Sequence, residues 1–408
     1  MEKLFIIGFG PGDEAWLSDK AKDILRSTKR ILNTREISLK ALLKVLREET
    51  GETAVLVSGD SGFFSVTQTL IKDFSDLYEI EVLPGIGSIP YFSAKLKIPY
   101  DNTELISLHG RSSNIISKVV YNKKVFALTG GVNSASEICQ TLCRCGLGNT
   151  TVYIGERLSC PDERIVQGKA ADFENEDFDS LSVMYIENHE AVNPHLPLHD
   201  KDFIRSNVPM TKEEVRWIAI QKLGIFPSDV IFDIGAGTGS VSIEMARKAY
   251  DGFVYAIEVN EDACDLIWEN MAKHGTFNIE IVHGKAPDSL EGLPVPDCVF
   301  VGGSSGSMGA ILAKLLSLNP NVKVTATAIT LQTLHQISDS FERYGISEIE
   351  IICVNVAKAK KVGTYDMMMA QNPVYIISGF GSDSCPGSEH RFGALEVNNR
   401  ELGGNGDG

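Results

Sequence analysis

Short apolar runs alternate with stretches of helical spacing along most of this chain. In the first half, residues 3–8, 54–58, 80–83 and 125–129 read as buried strands, and residues 20–26, 38–50 and 64–73 set apolar side chains at helical intervals. The second half repeats the scheme, with strands expected near 230–234, 253–258, 279–282, 297–301 and 322–327. Such alternation predicts largely parallel sheets and an α/β fold class. The last part departs from it, because strands near 348–356 and 373–378 flank a basic, methionine-rich connection, the pattern of a terminal antiparallel hairpin. Between the halves, residues 187–210 lack periodicity and contain three prolines, which marks a linker. The expected organisation is a first domain over 1–190, a linker over 191–208, a second domain over 209–380 and a glycine-rich, disordered tail over 381–408.

A length of 408 residues exceeds one ordinary core and agrees with two or three domains. The formal charge of −16 argues against a general nucleic-acid binder, whose affinity comes largely from neutralising phosphates. No run approaches the ~20 apolar residues of a membrane span, and the opening apolar run meets a glycine loop too early for a signal peptide. A cytoplasmic protein with no membrane partner is the expectation. Only Cys139, Cys143 and Cys145 cluster among the cysteines, on an expected helix and without the paired C-x-x-C spacing of zinc sites. Reduced thiols there, and exposed imidazoles at His189, His195 and His199 in the linker, are expected rather than a metal site.

Residues 229–240, Asp-Val-Ile-Phe-Asp-Ile-Gly-Ala-Gly-Thr-Gly-Ser, carry the sharpest chemical signal. An apolar strand runs through Gly235, Gly237 and Gly239 into a helix, and Ser240 stands where a dinucleotide loop needs its third glycine beside a diphosphate. The next strand ends in Glu258, whose carboxylate suits the vicinal hydroxyls of a ribose. Together they describe a nucleoside site without a phosphate clamp, which fits S-adenosylmethionine (SAM). Asp233, two residues before the first glycine, suits the ammonium group of that cofactor. A ligand-free turn and an NAD-dependent reductase are the alternatives.

Four loops of the first half follow expected strands: Gly8-Phe-Gly-Pro-Gly-Asp13, Ser58-Gly-Asp-Ser-Gly62, Pro84-Gly-Ile-Gly-Ser88 and Leu128-Thr-Gly-Gly131. Loops at the carboxyl ends of strands line the ligand crevice of an open α/β sheet. In this order, with Gly155-Glu-Arg-Leu-Ser159 behind them, they resemble the tetrapyrrole methylase family over about residues 1–190. The likeness is strongest to the CbiE type, through Leu56-Val-Ser-Gly-Asp-Ser-Gly-Phe-Phe-Ser65 and Leu108-His-Gly-Arg111. It implies a two-lobed fold with SAM in the cleft, held near Pro11, Gly59, Asp60, Ser61, Phe64, Gly87 and Ser88, and with His109 and Arg111 on the substrate side. For Asp60 an Asx-turn capping its own loop is the other reading.

Past the linker, Thr211 and Glu214 have the T-x-x-E spacing of a capping box. Pro-Met-Thr-Lys-Glu-Glu-Val-Arg216, followed by the glycine turn, is similar to the CbiT family over about residues 205–380. That resemblance implies a Rossmann-like SAM-dependent methyltransferase with a terminal antiparallel hairpin. Its cofactor contacts would be Thr211, Gly235, Ala236, Gly237, Thr238, Gly239, Glu258 and Ala286. Gly302, Gly303 and Ser304, at the end of the fourth strand, and the basic Lys358, Lys360 and Lys361 are substrate-side candidates. A CbiE-like half followed by a CbiT-like half implies SAM-dependent methylation of a corrinoid precursor at meso carbons 5 and 15 with loss of a ring carboxylate, in cobalamin biosynthesis. It further implies one SAM per half and a homo-oligomer, dimer or tetramer. A non-catalytic SAM-binding protein is the alternative from another class.

Overall fold

The computed structural model describes residues 2–10, 14–108 and 114–381. The chain divides into two compact units between Pro194 and His195. The tail expected to be disordered lies, beyond Gly381, outside the described residues.

The first unit contains two sheets. Strands β1 (Glu2–Gly8), β2 (Arg30–Asn33), β3 (Thr53–Val57) and β4 (Tyr78–Leu83) form an all-parallel sheet in the order β2-β3-β1-β4. Helices α1 (Asp19–Ser27), α2 (Leu39–Glu48) and α3 (Thr67–Phe74) supply the connections. Leu4 and Ile6 of β1 pack with Leu42, Leu46 and Leu70 on one face, whereas Phe5 and Ile7 pack with Leu17 and Ala21 on the other. Covering both faces is why the central strands β1 and β3 read as unbroken apolar runs. Helix α4 (Ser88–Leu96) leads to the second sheet, made by β5 (Glu104–Ser107), β6 (Lys124–Leu128), β7 (Thr151–Glu156), β8 (Arg164–Lys169) and β9 (Ser182–Glu187). Its order is β5-β6-β9-β7-β8, mostly antiparallel, with α5 (Ile115–Tyr121) and α6 (Ala135–Arg144) between strands. Phe92 of α4 is fully buried with Phe126 and Tyr185 of this sheet, so α4 belongs to the core of the second lobe.

The second unit is a seven-stranded sheet. Strands β10 (Val230–Ile234), β11 (Phe253–Glu258), β12 (Ile279–His283), β13 (Cys298–Val301), β14 (Lys323–Ala328), β15 (Ser347–Val354) and β18 (Val374–Phe380) run in the order β12-β11-β10-β13-β14-β18-β15. The first five are parallel, and β18 enters antiparallel to both neighbours. Helices α7 (Glu213–Leu223), α8 (Ser240–Lys248) and α9 (Glu261–His274) cover one face, with α10 (Met308–Leu318) and α11 (Leu331–Arg343) on the other. The strands serve both layers: Ile231 and Phe300 enter the first, Phe232 and Val299 the second.

Two expectations need correction. The basic connection, expected only to join two strands, is itself a two-stranded antiparallel ribbon, β16 (Ala357–Val362) and β17 (Tyr365–Ala370), closed at Gly363 with φ +63. Residues assigned to the linker are partly built into the second unit, since Phe203 is buried in its core and Leu198 packs against it. Among the described residues no helix is long and apolar enough to cross a membrane.

Candidate functional site

Strands β10, β11 and β13 end together, and the polypeptide leaves each strand beside a cavity of about 1400 Å³. Gly235 (φ +78) and Gly237 (φ +56) adopt a conformation that disfavours a side chain. A Cβ on Gly235 would meet the Gly303 backbone at 2.9 Å, and one on Gly237 would meet the Pro209 carbonyl at 3.0 Å. The turn is thus pressed between the loop after β13 and the segment before α7.

Thr211, Gly235, Ala236, Gly237, Glu258, Ala286, Gly302, Gly303 and Ser304 all line this cavity. Thr238 and Gly239 do not. Thr238 is buried with its carbonyl bonded to Asn270, and a Cβ on Gly239 would strike Ile267 of α9 at 3.0 Å. Gly239 therefore serves helix packing. Lys358 is also reassigned, because its ammonium lies 2.9 Å from Glu213 and 2.8 Å from Glu214. Lys360 and Lys361 are exposed on β16.

Glu258 is buried and organises the loops around it. Its Oε2 accepts from the Gly237 N–H at 2.8 Å, and its Oε1 accepts from the Val259 and Asn260 N–H groups at 2.8 and 3.0 Å. A carboxylate offers about four acceptor positions, so these three donors leave about one for a ligand hydroxyl, fewer than the pair expected from sequence. Asp233 lies deeper and is fully buried. Its Oδ2 accepts from the Ser242 hydroxyl, and its Oδ1 has no partner. Burial pushes its carboxyl up to about 7, opposed by the Ser242 hydrogen bond and assisted by nearby Glu258. An unfilled acceptor on such a group suits an ammonium donor.

Two polar side chains that the sequence reading overlooked position the cavity's cover. Arg216 is fully buried. It donates to Glu244 at 3.0 Å, Asp200 at 3.2 Å, the Thr211 carbonyl at 2.8 Å and the Leu198 carbonyl at 2.7 Å, and it lies over the Phe203 ring. Asn270 exchanges two hydrogen bonds with the Ile204 backbone and donates a third to Thr238. The capping box is absent. The N-cap of α7 is Lys212 without a side-chain cap, one residue past Thr211, and the Glu214 carboxylate pairs with Lys358 instead of reaching back to a backbone N–H.

In the first unit, the ends of β1, β3 and β4 converge. Gly10 and Gly59 exchange backbone hydrogen bonds of 2.9 and 3.1 Å, and a Cβ on Gly8 would fall 2.5 Å from the Gly85 nitrogen. Asp60 makes the Asx-turn with Gly62 N–H at 2.7 Å and also accepts from Gly85 N–H at 3.2 Å, so one carboxylate ties two loops together. Ser61 is buried with its hydroxyl on the Leu83 carbonyl at 3.1 Å. Phe64 (φ +47) is 47% exposed beside Phe63, and Gly87 caps α4, which begins at Ser88. Pro11, His109 and Arg111 lie outside the described residues. From the other lobe, Glu163 accepts from Tyr91 at 2.7 Å, Lys95 at 2.8 Å and the Ser159 N–H at 2.7 Å, fixing the Gly155–Ser159 loop against α4.

Comparison with known proteins matches each unit separately. Residues 202–379 match a precorrin methyltransferase domain, and residues 40–174 match the tetrapyrrole (corrin/porphyrin) methylases. A precorrin-6Y C(5,15)-methyltransferase [decarboxylating] from Sinorhizobium sp is 26% identical over 88% of this chain and 92% of its own length. A probable cobalt-precorrin-6B C(15)-methyltransferase (decarboxylating) from Pyrobaculum calidifontis is 37% identical over 46% of this chain and 96% of its own length. The crystal structure of precorrin-6y C5,15-methyltransferase from Geobacter metallireducens GS-15 is 36% identical, covering 45% of this chain and 95% of that one with a TM-score of 0.43. With a tetrapyrrole methylase domain preceding its methyltransferase domain, the chain belongs to the precorrin methyltransferase family.

Proposed function

We propose that the chain methylates a corrinoid precursor, precorrin-6B or its cobalt form, twice at the expense of SAM. The second unit acts at carbon 15 and releases a ring carboxylate as carbon dioxide; the first unit acts at carbon 5. The cavity of the second unit carries this reading, because it joins a side-chain-free glycine turn, a buried carboxyl with one unfilled acceptor and the Gly302–Gly303 backbone in one space of about 1400 Å³. Those residues fit SAM: Gly235 to Gly237 admit its backbone, Glu258 its ribose and Asp233 its ammonium. When bound, SAM supplies an electrophilic methyl group on a sulfonium. In the first unit, Gly59, Asp60 and Gly87 would hold a second SAM. This reading places the enzyme in the cytoplasm as a homo-oligomer.

An electron-rich ring carbon is the nucleophile, so the chain has to supply proximity, orientation and exclusion of water rather than a covalent group. Gly302 and Gly303 leave backbone at the place where a flat macrocycle must come close. The Arg216 and Asn270 networks hold residues 198–211 over the same space. For carbon dioxide loss the conjugated ring accepts the electron pair, and the site needs only to hold the acetate out of the ring plane.

Product masses from the full chain test the assignment. Gly237→Val should abolish carbon-15 methylation and carbon dioxide release together, since the new side chain meets Pro209 and a φ of +56 strains it. Asp60→Ala should mainly remove the carbon-5 methyl. Normal carbon dioxide release by a folded Gly237→Val variant, with carboxylate retained by Asp60→Ala, would reverse the assignment of chemistry to units. Turnover by the unaltered chain excludes a non-catalytic SAM-binding role.

A further inference from the structure

Two borders of the second-unit cavity come from parts of the chain far apart in sequence. Thr211 and Lys212 form one, at the start of α7. Val356 and Gln371 form the other, at the base of the β16–β17 ribbon, where the Gln371 N–H donates to the Val356 carbonyl at 2.9 Å. Lys358 joins them, with its ammonium 2.9 Å from Glu213 Oε1 and 2.8 Å from Glu214 Oε1. Glu213 is held from its other side by the Asp200 N–H on Oε2 at 2.8 Å. The Lys358 hydrogen bond, followed by the Asp200 amide, draws the Glu213 carboxyl down to about 2, so the junction stays ionised through neutral pH.

The register of the ribbon then sorts its lysines. Lys358 stands opposite Met369, Lys360 opposite Met367 and Lys361 opposite Asp366. Successive side chains of a strand point to opposite faces, so Lys360 shares the face of Lys358, about 7 Å along the strand, and Lys361 takes the other. Neither Lys360 nor Lys361 has an ion pair among the described residues, but Lys361 stands opposite Asp366 across the ribbon and Lys360 opposite Met367. In a chain of net charge −16, an exposed, uncommitted cation on the same ribbon face as Lys358 has a specific use.

We propose that Lys358 is a positioning residue that latches the ribbon to the start of α7, and that Lys360 is the ribbon cation thereby directed at a carboxylate of the substrate. This rests on the corrinoid reading above, since such a substrate bears acetate and propionate groups that need charged partners. The two roles are separable because one residue is consumed in ion pairs within the chain and the other is not.

The test uses the full chain with Lys358→Met, Lys358→Arg, Lys360→Met, Lys361→Met and the double variant Glu213→Gln/Glu214→Gln. Steady-state KM for the corrinoid and kcat for carbon-15 methylation are measured with SAM affinity, and deuterium uptake at β16 is followed without substrate. Lys360→Met should raise KM about tenfold, the loss of one partly exposed charge-assisted contact, with kcat and SAM affinity within about twofold. Its effect should exceed that of Lys361→Met. Lys358→Met and the double glutamine variant should both speed exchange at β16 and raise KM, and Lys358→Arg should restore both. An unchanged KM in Lys360→Met, or a larger change in Lys361→Met, would overturn the substrate contact. Unchanged exchange in Lys358→Met would overturn the latch. Absence of corrinoid turnover by the unaltered chain would instead remove the functional reading, and the exchange measurement would still decide the latch.

Discussion

Asp233 has a fully buried carboxyl at the cavity wall, and only one of its oxygens is satisfied. Burial raises it from the ordinary value of 3.8 to about 7, so the folded chain holds this proton more tightly than the unfolded one. The resulting stabilisation is complete below the ordinary carboxyl range and is lost as pH rises toward 7. Binding should show the opposite trend. An ammonium docked on Asp233 favours the ionised form, so SAM affinity of the second unit should rise by up to about tenfold per pH unit between about 5 and 7. Titration calorimetry of the full chain and of Asp233→Asn checks this, with the variant expected to lose the dependence. An equally steep pH profile in Asp233→Asn would place the titrating group elsewhere.

Among the elements, α7 depends most on contacts that local sequence does not announce. Its Arg216 is buried against Glu244 and Asp200 and holds the Thr211 and Leu198 carbonyls. Arg216→Met should destabilise the second unit by about 3–5 kcal/mol, because the Glu244 carboxylate is left buried without its partner. Arg216→Lys should recover only part, since an ammonium lacks the planar fork that serves four acceptors. Denaturant unfolding followed by Trp217, whose indole N–H also bonds Glu244, reads both variants. A Met variant as stable as the parent would show that the network adds nothing. The same helix shows where sequence reading stopped. Strand β10, its glycine turn and the acidic end of β11 were legible because each is encoded within a few residues. The T-x-x-E spacing is present too, yet the helix starts one residue past Thr211 and distant Lys358 takes the Glu214 carboxylate. Asn270 sat unnoticed on α9 because its partners Ile204 and Thr238 are brought to it only by the fold. Lysines 358, 360 and 361 looked equivalent as a basic run, and only strand register tells them apart.

At the scale of the whole molecule, the two units have separate cores. Leu4, Val55 and Leu70 centre one of them, and Ile231, Val254 and Phe300 another. Residues 1–194 and 195–381, expressed apart, should each unfold cooperatively and each bind SAM, as scanning calorimetry and SAM titration can determine. A folded fragment that failed to bind SAM in the presence of substrate would withdraw the site from that unit. The order of strands also bears on synthesis. The first unit has every strand in hand once Glu187 has emerged from a ribosome. The second has not, for β18 fits between β14 and β15 and is the partner of both. Until residues 374–380 emerge, β14 presents an open edge and β15 has no neighbour in the sheet. The nascent chain therefore carries one unit able to finish early and another held incomplete until nearly its final described residues appear, a window in which a holding chaperone would find its binding site on the second unit alone.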